Sequence, residues 1–108
     1  MYYIYILRCI DNSLYTGITT DIDRRMFEHF TKDKKCAKYT YTHTANKLEI
    51  VWQAENKKLA SKLEYHIKRL NKEQKENLII NNGLLKDIFK EKLNYKDYTI
   101  YRKNVENI

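Results

Sequence analysis

The chain has 108 residues, 21 of them basic and 14 acidic, for a net charge of +7. A hydrophobic fraction of 43% excludes a disordered tail, and the length suits one domain with one modest core. The longest apolar stretch near the N-terminus, YYIYIL, is too short to span a bilayer and lacks a basic leader, so a membrane protein is excluded and a cytoplasmic one expected.

Charge is unevenly spread: residues 1–55 hold eight basic and seven acidic side chains, residues 56–108 thirteen and seven. A basic half-molecule concentrates polyanions, of which nucleic acid is the commonest. Cys9 and Cys36 fall in no CxxC or Cys/His cluster and read as reduced thiols.

In chain order, the β-branched and aromatic run 2–10 predicts a buried strand, DNS at 11–13 a turn, and LYTGI at 14–18 the returning strand of a hairpin. A three-residue loop at 11–13 would set Cys9 opposite Tyr15 and put Tyr15 on the face of Tyr5 and Leu7; a two-residue loop would separate the tyrosines. Thr20 or Asp21 caps a helix running to about Phe30, with the apolar stripe Ile22, Met26 and Phe30. Arg25 and His29, also four apart, form a parallel stripe at the rim of the core.

Residues 31–46 read as a polar excursion over the surface, and 47–54 as a third strand. Asn56 caps a helix over 57–70 with the stripe Leu59, Leu63, Ile67 and Leu70, and Glu64 on its shoulder. Asn71 starts a helix over 72–81, which Gly83 would end in a left-handed conformation. Residues 84–93 alternate apolar and charged positions at helical spacing. The apolar face of Leu84, Leu85, Ile88, Phe89 and Leu93 either docks on the domain's own core or serves dimerisation or partner contact. YTIY in the tail 94–108 suggests a short strand. The expected fold is α+β: a three-stranded antiparallel sheet flanked by helices in the order β-β-α-β-α-α, with an extra C-terminal helix. The domain would span 1–83 and the helical extension 84–108.

Four ordered blocks, YYIYILRC, NSLYTGITTDIDRRMFEH, CAKYT and ASKLEYHIKRLNKEQKENLI, resemble the GIY-YIG nuclease superfamily over Tyr2 to Ile80, and most of all its small stand-alone bacterial members. Tyr5 matches the tyrosine of the first motif, with Tyr3 where the family glycine would stand. Tyr15 and Gly17 match the second motif. Arg25 and His29 match the family's catalytic arginine and the histidine one turn on, and Glu64 its metal-binding glutamate. The late asparagine of some larger members has no clear counterpart.

The resemblance implies a metal-dependent endonuclease that hydrolyses DNA phosphodiesters, with RNA as the other candidate substrate. The chemistry suits these residues. A guanidinium fork can bind two phosphate oxygens and stays charged. Mg²⁺, or Mn²⁺ in its place, needs one or two carboxylates and keeps several waters. The resemblance offers either motif's tyrosine as the base that activates water; Tyr5, assisted by Tyr15, is preferred and Tyr15 is the alternative, and a phenol near pKa 10 needs help from its neighbours. His29 would hold Tyr15 or the phosphate, or relay a proton. Lys34, Lys35 and Lys38, interleaved with Tyr39 and near Thr40, would track a nucleic-acid backbone. So small a domain should recognise breaks, flaps or branches over a long base sequence. The competing reading is a nucleic-acid-binding module with weak or no catalysis that depends on a protein partner for targeting. Either way a monomer or weak homodimer is expected. Taken singly, each residue has a plainer role: core aromatics for the tyrosines, Asp21 as the mate of Arg25, and Lys68 as the mate of Glu64.

Overall fold

The computed structural model describes residues 1–106, with side chains described through Arg102. The order is β1 (Tyr2–Cys9), β2 (Leu14–Thr19), α1 (Ile22–Thr31), α2 (Lys38–Thr42), β3 (Ala45–Ala54), α3 (Lys57–Lys68), α4 (Lys72–Ile80), α5 (Leu84–Ile88), a 3₁₀ turn at Tyr95–Asp97, and β4 (Thr99–Glu106). The strands form one antiparallel sheet in the order β2-β1-β3-β4. The α+β class is as the sequence predicts, with a fourth strand added at the β3 edge.

Alternation along β1 sends Ile4 and Ile6 to one face and Tyr5 and Leu7 to the other. The first face packs with Trp52, Leu63, Ile67 and Leu78 under α3, α4 and α5. The second packs with Ile22 and Met26 of α1. The sheet is thus the middle of three layers, with α1 and the short α2 on the side of the two tyrosines. In β3 the register against β1 jumps from Ile50 opposite Ile6 to Leu48 opposite Leu7. The extra residue is Glu49, and this bulge lets Leu48 and Ile50 serve different faces. Glu49 is buried and meets Arg8 at 2.6 Å, while Arg8 also grips Glu76 at 2.8 Å, stapling α4 to the sheet.

The hairpin register differs from the expected one. Tyr15 lies opposite Leu7, and the Cys9 amide donates to the Ser13 carbonyl. Asn12, at φ 69°, donates to the Cys9 carbonyl and closes the turn one residue early, over Ile10, Asp11 and Asn12. The slip is two residues, so parity survives and Tyr5 and Tyr15 share a face.

Asp21 caps α1 through the Arg24 amide, and Asn56 caps α3 through that of Leu59. Asn71 and Gln74 form a reciprocal capping box on α4. Gly83 is not left-handed: its φ is −63°. The Asn81 side chain accepts from the Gly83 amide at 3.1 Å and makes the turn itself. The segment 84–93 is helical only through Ile88, after which turns carry the chain. Leu85, Phe89 and Leu93 nevertheless stay four apart and buried in the main core, so this face docks on the chain itself. No described helix is long and apolar enough to cross a membrane.

Candidate active site

Tyr5, Tyr15, Arg25 and His29 meet where α1 crosses the β1–β2 pair. Tyr5 is fully buried, and its hydroxyl lies 2.7 Å from His29 Nε2. The rings of Tyr5, Tyr15 and His29 pack mutually, with centroids 5.5–6.2 Å apart. Gly17 makes room for this. A Cβ at Gly17 would stand 2.5 Å from the Tyr5 hydroxyl and 2.7 Å from its Cζ. The glycine of the second motif is therefore a steric requirement of Tyr5.

The proton order follows from hydrogen-bond accounting. Thr40 Oγ1 is 2.6 Å from His29 Nδ1 and 3.1 Å from the Ala37 carbonyl. A carbonyl can only accept, so Thr40 gives its single hydrogen to Ala37 and accepts from His29 Nδ1–H. Neutral His29 then presents a lone pair at Nε2, which receives the Tyr5 O–H. Burial lowers the His29 pKa to about 4, with further lowering by Arg25 against a weaker pull from Glu28. The imidazole is thus neutral at pH 7. Burial raises the Tyr5 pKa, Tyr15 adds to the rise, and the nearby Arg25 guanidinium opposes it.

Arg25 does not pair with Asp21. Its Nη1 donates to Glu28 at 2.8 Å and to the Lys35 carbonyl at 2.6 Å, which orients the fork beside Tyr5. Glu64 projects from α3, on the other side of the sheet, where α3 packs beside β2. Its charge is felt at the Tyr5 hydroxyl. Glu64 also pairs with Lys68 at 3.4 Å, and the Lys68 ammonium lies 5.9 Å from the centre of the Tyr15 ring. The ion pair is therefore local to the aromatic cluster.

The loop residues separate. Lys34, Lys35 and Lys38 are exposed. Tyr39 stacks on Tyr15 at 5.6 Å and on His43 at 4.2 Å. Thr40 is wholly buried and holds His29, so it stands behind the site and does not reach a backbone phosphate. The expected excursion contains a short helix, α2, anchored by this contact. Sequence reasoning paired Lys68 with Glu64, as found, but passed over Glu28 and gave no role to His43, which also meets Asp11 at 2.6 Å. The i,i+3 spacing of Glu28 from Arg25 was a usable signal for one of them; the ring stack with His43 had none.

Among the described residues no three His, Cys, Asp or Glu side chains gather as a metal cage. One carboxylate beside a phenol cluster does not suit Zn²⁺, which takes three or four protein ligands. It does suit hydrated Mg²⁺ or Mn²⁺, provided Lys68 yields Glu64.

Residues 1–77 match the GIY-YIG catalytic domain. The chain belongs to the GIY-YIG family. It is 42% identical to the UPF0213 protein FN1575 of Fusobacterium nucleatum over 81% of this chain and 86% of that one. It is 42% identical to the UPF0213 protein BH0048 of Halalkalibacterium halodurans over 76% and 85%. The solution NMR structure of UPF0213 protein BH0048 from Bacillus halodurans is 36% identical, with a TM-score of 0.49 over 87% of this chain and all of that one. Membership of the GIY-YIG family supports an endonuclease-type function, phosphodiester hydrolysis at the level of the family.

Proposed function

We propose that the protein is a Mg²⁺- or Mn²⁺-dependent endonuclease that hydrolyses DNA phosphodiesters, directed by structure more than by base sequence. The observation that carries this reading is the Tyr5 hydroxyl, which meets a neutral histidine acceptor at 2.7 Å, with the Arg25 guanidinium near enough to favour its ionised form. An ordinary core tyrosine needs one partner; this one joins a proton acceptor to an anion ligand.

Arg25 binds the scissile phosphate and neutralises charge that builds on its oxygens. The attacking water gives its proton to the Tyr5 oxygen while the Tyr5 proton passes to His29 Nε2. A bond forms from the water oxygen to phosphorus, the bond to the leaving sugar oxygen breaks, and that oxygen takes a proton from bulk water while His29 later returns its own to solvent. Imidazolium beside Arg25 is unfavourable in the free protein; a phosphate on Arg25 offsets that repulsion, so the relay becomes competent when substrate is present. Tyr15, packed against the Tyr5 ring, has to shift for the attacking water to reach the fully buried Tyr5 oxygen. Glu64 is the residue that would hold a metal ion, which when bound would supply Lewis-acid polarisation of the phosphate. Lys34, Lys35 and Lys38 are positioned to draw in the backbone.

The test is incubation of the purified chain with labelled branched and single-stranded DNA, with Mg²⁺ and with chelator. Metal-dependent cutting that Arg25→Ala abolishes is expected. No cutting, or equal cutting by the variant, removes the catalytic reading. One observation favours the alternative of a binding module: Glu64 already has Lys68 as counter-ion. In that case binding keeps its steep salt slope in Glu64→Gln and no cutting accompanies it.

A further inference from the structure

Beside the tyrosine cluster, and sharing only Arg25 with it, lies a cleft of about 500 Å³. Its floor is Tyr2 and Ile18, at the adjoining ends of β1 and β2. Arg24, Arg25, Lys35 and Lys57 supply its charge, and Glu28 is its lone acid. Glu28 is already bonded to Arg25. Among the described residues the Arg24 guanidinium and the Lys57 ammonium have no ion-pair or hydrogen-bond partner. The nearest acid in sequence, Asp23, is bound to Arg102, and Asp21 is committed to capping α1. The cleft is therefore a concave surface with surplus positive charge and an apolar floor, and it shares Arg25 with the tyrosine cluster.

We propose that this cleft binds one unpaired nucleotide flanking the scissile phosphodiester, with Arg24 and Lys57 on its phosphate and Tyr2 and Ile18 beneath its sugar and base. The inference rests on the reading of Arg25 as the ligand of the scissile phosphate. Three features select this ligand. The surplus cations need an anion that brings more than one charge, which a strand continuing from Arg25 provides. The amphipathic floor suits the face of a base, since an aromatic ring stacks on any base without reading its identity. The volume lies in the range of about 300–1,000 Å³ that holds one small molecule, and so suits one nucleotide. A substrate with an unpaired nucleotide beside the cut, such as a flap, a gap or a single strand, is favoured for that reason.

The test is an ¹⁵N-resolved NMR titration of the full chain with trithymidylate in EDTA, where no cutting occurs. It is run at several salt concentrations and compared with a blunt twelve-base-pair duplex. Saturable shifts of the Thr19 and Thr20 amides by the trinucleotide, absent with the duplex, are expected. In Arg24→Gln/Lys57→Gln, Kd should rise about tenfold and the salt slope flatten by about 0.7 for each lost phosphate contact. The control Lys90→Gln/Lys96→Gln removes the same charge from exposed positions outside the cleft lining. It should change Kd no more than about twofold, since screening limits distant charges. Equal weakening by the control, unchanged binding by the cleft variant, or equal shifts by the duplex would overturn the site. A chain that binds the trinucleotide as described yet never cuts DNA keeps the site and loses the nuclease reading. A chain that cuts while the cleft variant binds and cuts normally keeps the nuclease and loses the site.

Discussion

Mild acid should loosen this protein through His29. The imidazole is buried and neutral, with its pKa lowered from 6.5 to about 4 by burial and by Arg25. Below pH 6.5 the unfolded chain binds a proton at this position that the folded chain refuses. Stability from this group is thus complete above pH 6.5 and is lost progressively as pH falls toward 4. With those two values, lowering pH from 7 to 4.5 removes about 2 kcal/mol, since each tenfold difference in proton affinity between the folded and unfolded chains is worth about 1.36 kcal/mol. The assay is urea unfolding at a series of pH values for the parent and for His29→Gln. Glu76, whose pKa is held down by Arg8, adds acid sensitivity at lower pH, but it is common to both proteins and cancels in the comparison. The parent curve should fall more steeply than that of the variant between pH 6.5 and 4.5. Parallel curves would refute the claim that His29 is held neutral, and with it the assignment of Nε2 as a proton acceptor.

Thr40→Val leaves His29 Nδ1–H buried without an acceptor, which should cost about 1–3 kcal/mol, and turnover should fall because the tautomer is no longer set. Imidazole nitrogen shifts in NMR report the tautomer, and Thr40→Ser should restore both shifts and turnover. Gly17→Ala should displace Tyr5 and destabilise the fold by about 1–3 kcal/mol in thermal or urea unfolding, since the added Cβ meets the phenol at 2.5 Å. Glu64→Gln should remove any Mg²⁺-dependent rise in melting temperature, whereas Lys68→Gln, which frees the carboxylate, should lower the Mg²⁺ concentration needed for it. Arg8→Met should destabilise the fold in urea unfolding by taking from buried Glu49 its 2.6 Å partner and leaving it Lys47 at 3.6 Å, and adding Glu49→Leu should recover much of the loss.

Local chemistry was legible in the chain wherever it acts over one turn of structure. The caps at Asp21, Asn56 and Asn71, the core stripes of α1 and α3, and the shared face of Tyr5 and Tyr15 all depend on periodicity and short-range bonding. Parity even survived a misplaced turn, because a two-residue slip leaves side chains on their original faces. Tertiary structure decided what depends on distant partners. The Glu49 bulge answers to Arg8, 41 residues away. The tail becomes an edge strand because β3 offers unpaired backbone groups. Thr40 is polar and sits in a polar run, which reads as surface; its burial arises from a single bond to His29 across 11 residues. The tautomer of His29, and hence the direction in which the Tyr5 proton points, follows from that contact and has no signature in residue order.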